Sequence, residues 1–167
     1  MSTEKMNKEE SREKLKDLVD DIKVAMMVTG FNKKPINAIP MTTKQVDKDG
    51  NIWFLSLRTS EHNQELLKNK DVQLLYSDPK GMEYLSVFGE AEITTDRVTI
   101  EDLYSSIDDN WFEGGKTDPN ITAIKVRPEE AYYWDTKSNK YITLLKLGVG
   151  AISGNKQDIG EKGRLNI

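Results

Sequence analysis

Apolar residues in the first part of the chain recur with the period of an α-helix. A single stripe runs from Leu15 to Ile22 at spacings i, i+3, i+4 and i+7, within a strongly charged segment. This spacing places the stripe on one face of a helix. We therefore predict a helix over residues 8–21 that packs through this face alone.

From residue 22 onward the pattern changes to short runs rich in β-branched and apolar residues, bounded by turn signals. Such runs predict strands. The predicted strands cover residues 22–31, 35–46, 51–57, 72–78 and 83–94, with 121–126 and 131–135 on either side of Pro128. Asp47 and Gly50 bound a hairpin turn. Gly89 interrupts the longest of these strands, which indicates a bulge or a close backbone approach.

Helical signals return at two places between the strands. A short helix carries Leu66 and Leu67 and ends near residue 70. A second amphipathic helix is capped by Thr95 or Asp96. The apolar residues on or near the inner side of this helix are Val98, Ile100, Leu103, Tyr104 and Ile107.

The segments outside these elements are mostly polar. The loop 108–120 is rich in glycine yet holds Trp111 and Phe112, and large aromatic residues in a loop generally cover a ligand or a partner. Residues 141–152 fit either a helix or a strand, and residues 1–8 and 154–167 are expected to be loose termini. No linker divides the chain, so we predict one domain over residues 1–167. Five or six strands with hairpin spacing favour a closed antiparallel barrel.

The composition narrows the possible chemistry. With 167 residues, 37% hydrophobic and 31% charged, the chain has the length of one domain and no apolar run that could span a membrane. It has no cysteine and one histidine, so no metal site is predicted and thiol nucleophiles are excluded. A net charge of −4 disfavours nucleic acid as a partner. Since no secretory signal is readable, we expect a cytoplasmic protein.

The order of the elements and motifs resembles a known family. A helix, a strand, a strand hairpin, a serine-containing loop and helix, two strands, a Trp-Phe-x-x-Gly motif and a Tyr-Trp pair follow one another from about residue 14 to about residue 135. This order is similar to that of the FMN-binding split barrels related to pyridoxamine 5'-phosphate oxidase, and more narrowly to their general stress protein 26 branch. The resemblance implies a mainly β fold, a Greek-key-like antiparallel split barrel of about six strands with flanking α-helices.

The resemblance also implies a cofactor and an assembly. The family holds FMN at the interface of a homodimer, and FAD or a deazaflavin occurs in related proteins. In this chain Pro40, Met41 and Thr42 occupy the stretch that passes the isoalloxazine ring edge-on, although Ile39 stands where an arginine is common. The dimer is expected to form through the barrel side that carries residues 51–57 and 83–94.

The phosphate is expected at the start of the short helix. By the resemblance it contacts Ser60 and His62, with His62 in the place of the usual lysine, and Ser56 at the end of the preceding strand is a further cofactor-binding residue. Arg58 is expected to compensate for the missing lysine charge. The residues support this location independently, because a helix N-terminus offers unpaired N–H groups and a positive dipole end. The histidine makes the contact dependent on pH near neutrality.

The resemblance assigns aromatic residues of the partner subunit to the flavin. Trp111, Phe112 and Trp134 match those positions, and aromatic faces suit a flat apolar ring. The proline that usually follows the Trp-Phe pair is replaced by Glu113.

Structural alternatives exist for these residues. Ser60 alone fits a helix cap, and His62 alone fits an exposed residue at a helix start. Met41 and Trp134 fit barrel core, and Pro40 fits an edge strand. The acidic pairs 108–109 and 129–130 are expected to face solvent, since neither has the surroundings of a metal site.

Three functions are compatible with this pattern. The first is a flavin-dependent redox protein with an unidentified small-molecule partner, in which the chain orients the flavin. The second is a flavin-binding or flavin-storing stress protein without turnover. The third is a true pyridoxamine 5'-phosphate oxidase, which is disfavoured because the Arg-x-His substrate motif of that enzyme is absent from the C-terminal residues 161–167.

Overall fold

The computed structural model describes residues 2–3, 6–136, 160–165 and 167. The helices are α1 (Lys8–Ile22), α2 (Glu61–Leu66) and α3 (Arg97–Leu103), and 3₁₀ turns cover Ser106–Asn110 and Gly115–Thr117. The strands are β1 (Ser2–Thr3), β2 (Val24–Thr29), β3 (Asn37–Thr42), β4 (Gln45–Val46), β5 (Ile52–Leu57), β6 (Asp71–Asp78), β7 (Glu83–Thr94), β8 (Ile121–Thr136) and β9 (Gly160–Leu165). Within the described part of the chain, no helix is both long and apolar enough to cross a bilayer.

The strands form one curled sheet that closes on itself. Strands β3, β2, β6, β7 and β8 are neighbours in that order, and β8 pairs through its first half with β5. β5 in turn pairs with β4. β4 follows β3 after a bend at Thr43 and Lys44, whose amides donate to the carbonyls of Lys23 and Trp53 at 2.8 Å each. With β3 and β4 counted as one bent strand, this ring confirms the predicted antiparallel barrel of six strands.

Two apolar clusters stabilise this barrel. The main cluster fills its interior, where Met27, Phe54, Val87 and Tyr133 are fully buried and the apolar stripe of α1 packs against them. The helix begins at Asn7, whose side chain accepts from the amides of residues 9 and 10 in a capping box. The second cluster joins α3 to β5 and β8. Its buried members are Leu55, Ile100, Leu103, Phe112, Ile121 and Ala123.

Strand β8 is continuous, so the prediction of two strands separated at Pro128 is wrong. Phe88 pairs with Glu130 and Gly89 pairs with Pro128, which leaves Glu129 as one extra residue in β8. This β-bulge accommodates a proline, which has no amide to donate to the ladder. The prediction of a close approach at Gly89 is confirmed, because a Cβ atom there would lie 2.1 Å from the Arg127 carbonyl oxygen.

Gly89→Ala should therefore destabilise the barrel. The added methyl group meets backbone rather than a movable side chain, so we expect the free energy of unfolding to fall by about 1–3 kcal/mol. Gly81→Ala is the matched control, since its Cβ would meet the ends of the Asp78 and Glu83 side chains. Urea unfolding of both variants measures the difference, and equal midpoints would contradict the close approach.

The chain termini differ from the prediction. Residues 160–165 form β9, which pairs with residues 131–136 of β8, and Ser2 and Thr3 pair with β9. The predictions of a loose C-terminus and a loose N-terminus are therefore wrong for these residues, because both complete the edge of the sheet. Residues 141–152 lie outside the described residues.

The second predicted helix is shorter than expected. It is capped by Asp96 and ends at Leu103, and Ile100 and Leu103 are buried as predicted. Val98 and Ile107 are exposed, so their assignment to the inner side is wrong. Tyr104, the C-cap residue, packs against the second cluster.

Candidate functional site

The outer face of the sheet carries Pro40 and Thr42. Residues of β3 alternate between partly buried and exposed, so Pro40 and Thr42 project outward. Met41 points inward and packs against the main core. Only alternate residues of this stretch are thus available to a ligand through their side chains, while its backbone follows the same edge.

Pro40 belongs to a row of outward residues that crosses the sheet. The directly paired members of this row are Pro40, Met26, Leu75, Ser86 and Tyr132. Val24 and Tyr84 flank it, and both are exposed. Apolar side chains grouped on one open face are typical of a surface that another molecule covers.

Trp134 lies at the far end of this outer face. It packs against Tyr132 in a tilted arrangement, with ring centroids 5.0 Å apart and an angle of 50° between the ring planes. Because Tyr132 is four strands from Pro40 in the row, the two sides are roughly 19 Å apart along a convex sheet. Within one subunit, Trp134 and Pro40 therefore cannot contact the same tricyclic ring.

Ser56 lies in a buried polar network. Its hydroxyl, in a residue only 4% exposed, donates to the Asn63 side-chain oxygen at 2.7 Å and bonds the Thr122 hydroxyl at 2.9 Å. The side-chain NH₂ group of Asn63 donates to the same Thr122 hydroxyl at 2.8 Å. These contacts tie α2 to β5 and β8, so Ser56 positions the helix that carries the predicted phosphate contacts.

Ser56→Ala should lower stability without changing ligand affinity. Removing the hydroxyl leaves Asn63 short of one buried partner, which costs about 1–3 kcal/mol of unfolding free energy. The exposed strand residue Ser77 provides a control, and Ser77→Ala should change stability by less than about 0.5 kcal/mol. Denaturant unfolding and flavin titration of both variants check this. A weakened flavin affinity in Ser56→Ala at unchanged stability would instead assign Ser56 to the ligand.

Ser60 and His62 lie together at the start of α2. Ser60 is the N-cap residue, and its Oγ accepts from the backbone N–H of Asn63 at 3.4 Å. The same Oγ lies 3.1 Å from Nε2 of His62. The helix has only six residues, so its dipole is small. The hydroxyl and the imidazole are therefore the main groups that could bind an anion here.

His62 is buried, not exposed at the helix surface. It is 9% exposed, and burial lowers its pKa below the ordinary value of 6.5, while the nearby charge of Glu65 acts in the opposite direction. The imidazole is therefore neutral at pH 7 in the flavin-free protein. An approaching phosphate would favour its protonated form.

Helix α2 is fixed to the first residues of β3. The Glu65 carboxylate accepts from Thr29 at 2.5 Å and from Asn37 at 3.1 Å, and forms an ion pair with Lys33. Asn37 is the first residue of β3 and Pro40 the fourth. The contacts of Glu65 thus hold the Ser60 and His62 end of the site in a constant relation to the strand that bears Pro40.

Arg58 connects this region to the glycine-rich loop. Its guanidinium donates to the Pro119 carbonyl at 3.2 Å, and its backbone amide donates to Asn120 at 2.8 Å. Its side chain is exposed. A guanidinium has five N–H donors, so the contact with Pro119 leaves capacity for a phosphate.

The adjacent Trp111 and Phe112 have opposite environments. Phe112 is 6% exposed and packs in the second cluster beneath α3, whereas Trp111 is 74% exposed. Phe112 therefore holds the loop in place and Trp111 is presented to solvent. Asp108 is buried in an ion pair with Lys44, so the prediction that it faces solvent is wrong, while Glu129 and Glu130 are exposed as predicted.

The features that sequence reasoning missed are the polar contacts between distant segments. Asn63, Thr122, Glu65 and Lys44 carry no motif, and each acts on a residue far along the chain. Among the described residues, no group of three or more acidic or histidine side chains is placed to hold a metal ion. The start of α2 offers groups that can bind an anion, and the outer sheet face offers an open apolar surface. These two features suit the phosphate and the ring of a flat ligand.

The architecture defines a split β-barrel with a helix in the crossover from β5 to β6. Residues 10–158 match the model of the family described as "Pyridoxamine 5'-phosphate oxidase like". The chain belongs to this family, as the order of its motifs predicted.

Individual relatives agree with this assignment. General stress protein 26 of Bacillus subtilis (strain 168) is 28% identical over 129 residues, which cover 75% of this chain and 89% of that protein. A candidate general stress protein 26 from Jannaschia sp. CCS1 has the same fold, with a TM-score of 0.75, 24% identity, and coverage of 93% of this chain and 97% of that one. The general stress FMN/FAD binding protein of Xanthomonas citri has a TM-score of 0.66 and 25% identity, with 80% and 93% of the two chains covered.

Proposed function

We propose that this chain is an FMN-binding protein that works as a homodimer, with the flavin at the subunit interface and used for redox chemistry on a small molecule. The observation that carries the proposal is the open apolar face that runs from Pro40 to Tyr132. The Ser60 hydroxyl and the His62 imidazole at the start of α2 add groups that suit a phosphate. The related Xanthomonas citri protein is described as binding FMN or FAD. A flavin matches both parts, since its ring is flat and apolar and its chain ends in a phosphate.

The residues on this surface have separate roles in the proposal. Ser60, His62 and Arg58 bind the phosphate, and β3 passes the ring edge at Pro40 and Thr42. Trp111 and Trp134 cover the ring and exclude water. Bound FMN supplies hydride or electron transfer, whereas the protein supplies orientation and a dry environment.

The proposed dimer follows from the spacing of these residues. Pro40 and Trp134 are too far apart in one subunit to contact one ring, so a second subunit must contribute one of them. The exposed Met26, Leu75 and Tyr132 between them provide the apolar area that such an interface buries. This face includes β7 of the expected dimer side but not β5, which pairs with the first half of β8. A two-fold axis through this face would use the same residues on both subunits.

The absorbance spectrum of the purified protein tests the cofactor. We expect a flavin spectrum after reconstitution and FMN as the species released on denaturation, with FAD or a deazaflavin as the alternatives that chromatography would identify. Steady-state oxidation of NADH or NADPH with added acceptors tests the redox part. Flavin binding without any turnover would leave a flavin-storing protein, and no flavin binding would contradict the proposal.

A further inference from the structure

The loop that carries Trp111 is organised around the buried carboxylate of Asp108. This carboxylate accepts from the Ser105 amide at 2.8 Å and from the Ser105 hydroxyl at 2.9 Å. The Asp108 carbonyl accepts from the amides of Trp111 and Phe112 at 2.9 and 3.1 Å. A single residue therefore bonds both the beginning and the end of this turn.

Lys44 connects this turn to the barrel. Its Nζ donates to the Asp108 carboxylate at 2.6 Å and to the Ser105 hydroxyl at 3.0 Å. The two side chains of the ion pair are only 9% and 8% exposed, so water screens their attraction weakly. Lys44 lies at the bend between β3 and β4, and its own amide donates to Trp53. The backbone of Lys44 is thus held in place just after the strand that carries Pro40.

Trp111 depends on this connection for its position. Its side chain is 74% exposed, so packing within the subunit does little to orient it. The neighbouring Phe112 anchors one side of the turn in the second cluster. The Lys44–Asp108 pair anchors the other side, and a preorganised aromatic group loses less freedom when it covers a ligand.

We propose that Lys44 is a positioning residue for flavin binding, because its buried ion pair with Asp108 holds the turn that presents Trp111 to the flavin ring. This inference rests on the proposed flavin site. Lys44 acts through Trp111 and need not touch the cofactor.

A double-mutant cycle tests whether Lys44 acts through Trp111. Lys44→Gln should raise the FMN dissociation constant about tenfold in the otherwise native protein, and by less than about twofold in the Trp111→Ala background. Lys44→Arg keeps the charge and should recover most of the affinity. Lys16→Gln removes the exposed ion pair with Asp20 and should leave affinity unchanged. Equal affinity of Lys44→Gln and the native protein, or an equal loss in both backgrounds, would overturn the proposal.

Amide hydrogen exchange of the flavin-free protein provides an independent readout. The Trp111 and Phe112 amides donate to Asp108, so they should exchange faster in Lys44→Gln than in the native protein, with Lys16→Gln as the control. Unchanged exchange at these two amides would overturn the role of Lys44 whether or not flavin binds. If these amides exchange faster but the protein binds no flavin, the proposed function and the role of Lys44 in flavin binding are both contradicted. Only the structural contact of Lys44 with the turn would then remain.

Discussion

Leu75→Lys should convert the proposed dimer into monomers and weaken FMN binding in the same variant. Leu75 is 44% exposed and lies at the centre of the paired row on the outer sheet face, between Met26 and Ser86. A two-fold interface contains this position twice. If each buried lysine costs about 2 kcal/mol, the dimer is weakened by about 4 kcal/mol, or roughly 1,000-fold.

Loss of flavin should accompany loss of the dimer, because the flavin needs contacts from both subunits in the proposed site. Leu67→Lys is the control, since Leu67 is the same residue type and is 69% exposed but lies at the end of α2. Sedimentation velocity and FMN titration at the same protein concentration measure both effects. A monomeric Leu75→Lys protein with native flavin affinity would contradict a shared site, and a dimer that persists would place the interface elsewhere.

His62→Ala should weaken FMN binding by about 1–3 kcal/mol, roughly 5- to 150-fold, at slightly acidic pH. In the flavin-free protein, burial holds the pKa of His62 below 6.5. A bound phosphate raises this pKa, because the anion favours the imidazolium form. Binding therefore takes up a proton between the lower free value and the higher bound value, and native affinity falls as pH rises across that interval.

His62→Lys keeps a fixed positive charge at the same position. Its affinity should change little with pH across the interval in which the native affinity declines. FMN dissociation constants measured from about pH 5.5 to 8.5 for the native protein and both variants compare these profiles. Parallel curves of equal affinity would exclude His62 from the site and leave the phosphate to Arg58 and Ser60.

Burial of the neutral imidazole also affects folding. Since the folded pKa of His62 lies below the unfolded value, the unfolded chain binds more protons at mildly acidic pH. The flavin-free protein should therefore lose stability as pH falls through 6.5 toward the folded pKa. In His62→Gln this component of the pH dependence should be absent, and urea unfolding at several pH values measures it.

Elements that depend on local pattern were predicted well. The stripe from Leu15 to Ile22 identified α1, the turn signal near Gly50 identified the hairpin, and the run of residues 83–94 identified β7. Local sequence also indicated the special role of Gly89. In each case the responsible residues are close together in the chain, so their spacing reports the structure directly.

The structural predictions were wrong where contacts with distant segments of the chain determine the structure. Pro128 suggested a break, yet the bulge opposite Gly89 lets β8 continue. Residues 160–165 show little apolar alternation, and they form a strand because β8 offers an open edge. Asp108 resembled a solvent-exposed acid because its partner Lys44 is 64 residues away. Which of Trp111 and Phe112 is buried depends on packing against α3. The loop has no apolar periodicity that would indicate this packing.

For the candidate site, too, the sequence predicted some features and missed those that depend on distant contacts. The motif order assigned Pro40, Ser60 and His62 to one site, and the contacts of Glu65 with Thr29 and Asn37 show how α2 is held to β2 and β3. The motif did not reveal that Ser56 is enclosed in a network with Asn63 and Thr122. It also did not reveal that His62 is buried, which changes its charge state and hence the expected pH dependence.

Titration of the flavin-free protein with FMN is the most direct test of a flavin site shared between two subunits. Flavin fluorescence followed during the titration, with the assembly state measured in parallel by sedimentation, gives both affinity and stoichiometry. We expect a saturable fluorescence change with one FMN per subunit and a dimer that carries two. No change in flavin fluorescence at protein concentrations in the tens of micromolar, or one FMN bound by a monomer, would contradict the shared site.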